Sequence, residues 1–267
     1  MIFNLCKELF TSKNLHEYLS GEMINDLYLA PKRINRDLVD KKLADTKYIN
    51  KINSTINTYK NTDIESMITQ RMNFFATDLS YKVDYKIYVL IGLDTTTIYS
   101  TQYNGEDVTV LMLESTNGSF ENLDLLLAHE YTHLVRKAFS NQDIFETSIG
   151  ERIIVEGIGC NYSREIVPNK DEYKYCIVGK EEFEWVENNI DKVEQYIQGK
   201  LRTNELMGDL FYMYADTKKT GMPTRTGYVY GYLIVKDYLK KNNLQIKDII
   251  NRNWDELIRG KINEWWN

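Results

Sequence analysis

Histidine, cysteine and proline each occur only three times in 267 residues, and each scarcity closes off a class of protein. Cys6, Cys160 and Cys176 are odd in number and show no C-x-x-C spacing, so neither a disulfide framework nor a cysteine metal site is expected, and a reducing compartment is the simpler expectation. Three prolines leave helices few interruptions. No apolar run reaches the roughly 18 residues that a membrane-spanning helix needs. The N-terminus shows no basic start with a small-residue cleavage site. A cytoplasmic protein with no membrane partner is expected. The net charge is −6 with both signs interspersed. No basic block is present to grip a phosphate backbone, which argues against nucleic acid as a partner.

What is present is an ordinary folded composition, 43% hydrophobic and 27% charged, in a chain long enough for one large domain or two lobes around a cleft. Residues 1–82 read as helical. Pro31 suits the first turn of one helix, and Ile64, Met67, Ile68, Met72, Phe75 and Leu79 form an amphipathic stripe. The period then shortens. Tyr85–Leu93, Thr95–Gln102 and Val108–Leu113 read as strands, the last two separated by Asn104-Gly105, and Asn117-Gly118 closes the region. From Ser119 onward the pattern is helical: one helix from about Phe120 to Phe139, another from Ser148 to about Pro168, and further stretches near 190–200, 226–241 and 253–266. Helices, a small sheet and then helices make an α+β fold. The division expected is 1–138, with the N-terminal helices and sheet, and 139–267, a helical lobe, with a cleft between them.

The chemistry concentrates in LLAHEYTHLVR, residues 126–136. His129, Glu130 and His133 form H-E-x-x-H. On a helix, positions i and i+4 share a face, so both imidazoles can point at one metal ion, and imidazole is a good zinc ligand. Glu130 lies about 100° further round the helix, placed to act as base on a metal-activated water rather than as a ligand. Two of the three histidines in the chain fall in this motif. The third, His16, reads as a solvated surface residue.

A catalytic zinc takes three protein ligands. The next helix offers Glu151, Glu156 and Glu165. Ser148 and Glu151 read as a capping box, and Glu165 lies at the helix end. Glu156 is central and is followed by Gly157 and Gly159, which cost about 1 kcal/mol each in a helix and suggest close approach to the motif helix. Glu156 is therefore the candidate third ligand, with a solvated carboxylate as the alternative. One zinc per chain is expected.

HEYTH (129–133), EGIG (156–159) and GYVYGY (227–232) together resemble the gluzincin metallopeptidases, and within them a bacterial branch of predicted zinc-dependent proteases, over about residues 105–240. The resemblance implies a zincin-like fold, a small twisted sheet packed on the H-E-x-x-H helix, with a mostly helical C-terminal lobe. It implies hydrolysis of a peptide or protein substrate, which an edge strand within 105–115 would pair with in extended form. Similarity to the Y-x-x-G pattern of aminopeptidase-N-like enzymes marks Tyr228 as the oxyanion donor; a tightly packed helix with core tyrosines is the alternative reading. Arg225 nearby could bind a substrate carboxylate. Two features depart from the family pattern. Twenty-two residues separate His133 from Glu156, which points to a longer loop at Ser140–Thr147. Cys160 occupies the position where an acidic residue commonly orients a zinc histidine. A non-catalytic binding protein and a hydrolase of other amides or esters are the competing functional readings.

Overall fold

The computed structural model of the chain describes residues 1–11, 14–19, 21, 24, 27, 36–94, 97–140, 147–212 and 215–262. Pro31, Thr95 and the centre of the expected 140–147 loop lie outside them, as does the end of the last expected helix. The chain is mostly helical with one small mixed sheet, an α+β architecture, and it divides into two units. Among the described residues no helix is long and apolar enough to cross a membrane.

The first unit comprises Met1–Thr77 and Lys82–Glu130. It holds β1 (Ile2–Asn4), α1 (Lys7–Thr11), α2 (Leu15–Leu19), α3 (Arg36–Leu43), α4 (Thr46–Tyr59), most of α5 (Ile64–Asp78), β2 (Ile87–Leu90), β3 (Ile98–Tyr103), β4 (Glu106–Met112) and the first half of α6 (Phe120–Ser140). Asp45 caps α4 by accepting from the amides of Lys47 and Tyr48, and the helix buries Tyr48, Ile52, Thr55 and Tyr59 at helical spacing. Its tyrosines reach polar partners: the Tyr48 hydroxyl donates to the Gly92 carbonyl at 2.7 Å. His16, expected as a solvated surface residue, is partly exposed and lies 3.3 Å from Asp40.

The strand order is β1-β2-β4-β3; β1 and β4 run parallel to β2, and β3 is antiparallel to β4. Asn104 and Gly105 both take positive φ, 52° and 78°, the requirement of a two-residue hairpin turn whose twist matches its strands. That turn fixes Tyr103 opposite Glu106. Being flanked on both sides, β4 is buried from Val108 to Met112. This corrects the expectation of an edge strand within 105–115: β4 is interior, and the described sheet ends on β1 and β3. β1 itself went unread, because three residues carry too little period to stand out from a helical context.

The second unit comprises Asp78–Tyr81 and Tyr131–Asn267. After the second half of α6 come α7 (Ile149–Ile166), α8 (Glu172–Tyr175), α9 (Lys180–Asn188), α10 (Ile190–Ile197), α11 (Met207–Phe211), α12 (Thr217–Thr220), α13 (Thr226–Asn242) and α14 (Trp254–Ile262). Ser148 caps α7 as expected, accepting from the Glu151 amide at 3.3 Å. The Glu151 carboxylate does not complete a capping box. It pairs with Arg136, which also donates to the carbonyls of Ile250 and Arg252. A buried guanidinium is costly without a counter-charge, and the Glu151 carboxylate supplies it.

α7 is buried on nearly every face from Ile153 to Ser163, and its principal packing partner is α13. Two glycines make that crossing. A Cβ at Gly157 would stand 2.3 Å from the Gly231 carbonyl oxygen, and one at Gly231 would stand 2.1 Å from that of Ile153. No side chain fits there. Gly157 therefore serves the approach of α13, which corrects the expectation that it brings α7 towards the motif helix.

Candidate metal centre

α6 is continuous from Phe120 to Ser140. One helical turn places His129 and His133 on the same face, as the spacing requires. Both are buried, at 3% and 7% exposure. Glu156, at the middle of α7, is wholly buried, and its Oε2 lies 3.4 Å from His133 Nε2. One ligand atom from each of His129, His133 and Glu156 falls within 4.8 Å of the others. Cys160 is a buried thiol outside this group, and none of the three cysteines forms a disulfide.

The donor set fits zinc. It is two imidazole nitrogens and one carboxylate oxygen, the borderline-soft and hard donors that zinc accepts together. With bonds near 2.0–2.1 Å, neighbouring ligand atoms of a tetrahedral site stand roughly 3.3 Å apart, close to the His133–Glu156 separation. Three such donors would leave the fourth position of a tetrahedral site open. Glu151 and Glu165 are engaged elsewhere: Glu151 with Arg136, and Glu165 as acceptor for the Ile246 amide at 3.2 Å.

Glu130 does not enter the ligand group. It is 5% exposed, and its Oε1 accepts from the Ser100 hydroxyl on β3 at 2.7 Å. A single short hydrogen bond from the sheet thus fixes the carboxylate while it keeps further acceptor capacity.

Glu156 has a second neighbour. Arg152, one turn earlier on α7, brings Nη2 within 2.6 Å of Oε1. Burial works against the Arg152 charge, yet Glu156 beside it holds the guanidinium more firmly protonated than usual. Arg152 also hydrogen-bonds Tyr228 and packs over the Phe211 ring at 5.8 Å. Phe211 reaches that place because residue 227 is glycine: a Cβ there would stand 2.4 Å from its ring.

Tyr228 is thus the tyrosine of GYVYGY that shares an environment with Glu156. Burial, with the Glu156 charge adding to it, pushes its hydroxyl above the ordinary phenol range, against the opposite pull of Arg152 and Arg225. The Arg225 guanidinium lies over its ring at 5.3 Å and donates to the Ile177 carbonyl. Tyr230 turns away and donates to Glu194, and Tyr232 is buried against Phe183. The segment is therefore partly the packing motif of the alternative reading and partly, through Tyr228, a neighbour of Arg152 and Glu156.

Sequence reasoning passed over Arg152 and Ser100. The first had a signal, an Arg–Glu pair at i, i+4. Ser100 had none, since only the sheet brings β3 to Glu130.

A family model described as predicted Zn-dependent protease matches residues 49–259. No curated protein and no solved structure matches the chain.

Proposed function

Because the chain belongs to this family of predicted zinc-dependent proteases, we propose that it hydrolyses peptide bonds with His129, His133 and Glu156 as zinc ligands, Glu130 as general base and Tyr228 as oxyanion donor. The observation that carries the reading is the buried His-His-Glu group, beside a carboxylate that belongs to the same motif but stays outside the ligand set.

Zinc held there supplies Lewis-acid chemistry, polarising a carbonyl and lowering the pKa of a water towards ~7. The Glu130 carboxylate takes the proton of the attacking water and returns it to the leaving amine. The Ser100 hydroxyl steadies that carboxylate through its 2.7 Å hydrogen bond. Tyr228 donates to the oxygen on which charge develops. β3 carries Ser100 at the border of the described sheet, so an extended substrate added to this strand would run past the base. This role passes from the strand first expected to its hairpin partner.

The test is elemental analysis together with a panel of peptides and small esters, each assayed with and without chelator. About one zinc per chain and chelator-sensitive peptide cleavage are expected. Ester cleavage without peptide cleavage would move the chain to another hydrolase class. Zinc without any hydrolysis would make it a binding protein.

A further inference from the structure

Glu156 is held from two sides. Its Oε2 faces His133 at 3.4 Å and its Oε1 faces Arg152 at 2.6 Å. A carboxylate with one oxygen in an ion pair is left with the other for ligation. The guanidinium that makes the pair also hydrogen-bonds Tyr228. Arginine has donors only, so the phenol oxygen is the acceptor in that bond and the phenol proton is directed away from Arg152.

Nothing about this arrangement favours stability alone. Arg152 is largely buried, and its Nε and Nη1 meet no acceptor among the described residues, a cost that folding leaves unrewarded. Its guanidinium carbon lies over the ring of Phe211 at 5.8 Å, and that ring is seated against Gly227. Gly231 and Gly157 in turn allow α13, which carries Tyr228, to lie against α7.

We propose that Arg152 is a positioning residue that acts through two others: it restricts Glu156 to one ligating oxygen and turns the Tyr228 proton towards the site. The inference rests on the metallopeptidase reading and adds to it the residue that couples ligand to oxyanion donor. It also accounts for the glycines of GYVYGY as the means of bringing α13 close enough for one guanidinium to serve both helices.

The probe is cobalt(II), whose visible spectrum reports coordination number and ligand geometry without turnover. Arg152→Met keeps an unbranched apolar stem and removes the guanidinium with its charge. In this variant the cobalt bands should shift and weaken as Glu156 turns to bidentate ligation. Thermal unfolding of the metal-free variant is monitored in parallel. The second readout is a double-mutant cycle on kcat. Tyr228→Phe should slow the wild type at least ~10-fold but slow the Arg152→Met background less than ~3-fold, because the phenol is no longer positioned. Arg152→Lys guards against a folding failure. It restores the charge beside Glu156 but not the planar fork, so it should recover the wild-type cobalt spectrum while its cycle with Tyr228→Phe stays non-additive.

Wild-type cobalt bands in Arg152→Met, with the two kcat effects multiplying, would overturn the inference and leave the metallopeptidase reading standing. A wild-type chain that binds no cobalt would overturn both.

Discussion

Glu114 and Glu156 are both wholly buried carboxylates, one in each unit of the molecule, and their surroundings have nothing in common. Glu114 closes the loop after β2. Its Oε1 accepts from the amides of Gly92 and Asp94 at 3.0 and 3.2 Å, and burial pushes its pKa up to about 7. Glu156 faces an imidazole and a guanidinium, with one oxygen turned towards His133 and the other towards Arg152. Burial alone therefore does not mark a functional carboxylate. Partners that carry charge and could share a cation do, whereas backbone amides mark a carboxyl that serves the fold.

The largest effect should come from the charged member of the pair. Glu156→Ala removes a ligand and should weaken zinc binding roughly 10²-fold or more, the scale of about a quarter of the binding free energy of a four-ligand site, whereas Glu114→Gln should leave it unchanged. Chelator competition measures both. A zinc affinity that falls in Glu114→Gln and holds in Glu156→Ala would invert the comparison.

A third buried carboxylate sharpens it. Glu130 accepts from the Ser100 hydroxyl and stands outside the His-His-Glu group. Glu130→Gln should keep zinc and lose at least ~10²-fold in hydrolysis, the scale of a missing general base. Loss of zinc instead would place Glu130 among the ligands.

Next in size is the phenol that shares the surroundings of Glu156. Tyr228→Phe should keep zinc and the fold and lose at least ~10-fold in kcat with little change in KM. Tyr230→Phe is the internal control, because its hydroxyl is already engaged with Glu194. Equal rates in the two variants would reduce GYVYGY to packing.

The smallest effect on activity belongs to Glu114, and its signature is in stability. Its pKa is raised on folding, so the native state keeps a proton that the unfolded chain releases between about pH 4.5 and 7. The associated stability is fully present below the unfolded value and is lost as pH rises through about 7, a decline of roughly 3 kcal/mol at ~1.4 kcal/mol per unit. Glu165 in the other unit is raised to about 7 by burial as well and adds a decline of the same sign. Glu114→Gln should flatten the pH dependence of the unfolding midpoint without abolishing it, and should leave hydrolysis within ~2-fold of wild type. An unchanged slope would mean that Glu114 is already ionised in the native state.

The legibility of these groups in the sequence follows their range. His129 and His133 meet because four residues make a turn, and no other part of the chain is needed for that. The Asn104-Gly105 turn and the Ser148 cap are local in the same sense, and both stand where the sequence puts them. Glu151 was misjudged because its carboxylate had a choice between a neighbouring amide and a distant arginine, and only the packed chain offers the second. Gly157 was assigned to the wrong neighbour for a similar reason. A glycine announces that something comes close and is silent about what.

The helix that carries H-E-x-x-H and the α+β order of elements could be read from local period and spacing alone; Glu156 was singled out on a capping box and a glycine approach that the packed chain uses otherwise. That β3 rather than β4 stands at the border of the sheet with Ser100 against Glu130, and that Arg152 joins Glu156 to Tyr228, came from the packed chain. A strand's place in a sheet is set by which partners it finds, and a side chain's partner across two helices by where their glycines let them cross. Neither quantity is encoded in the residues on one side of the contact.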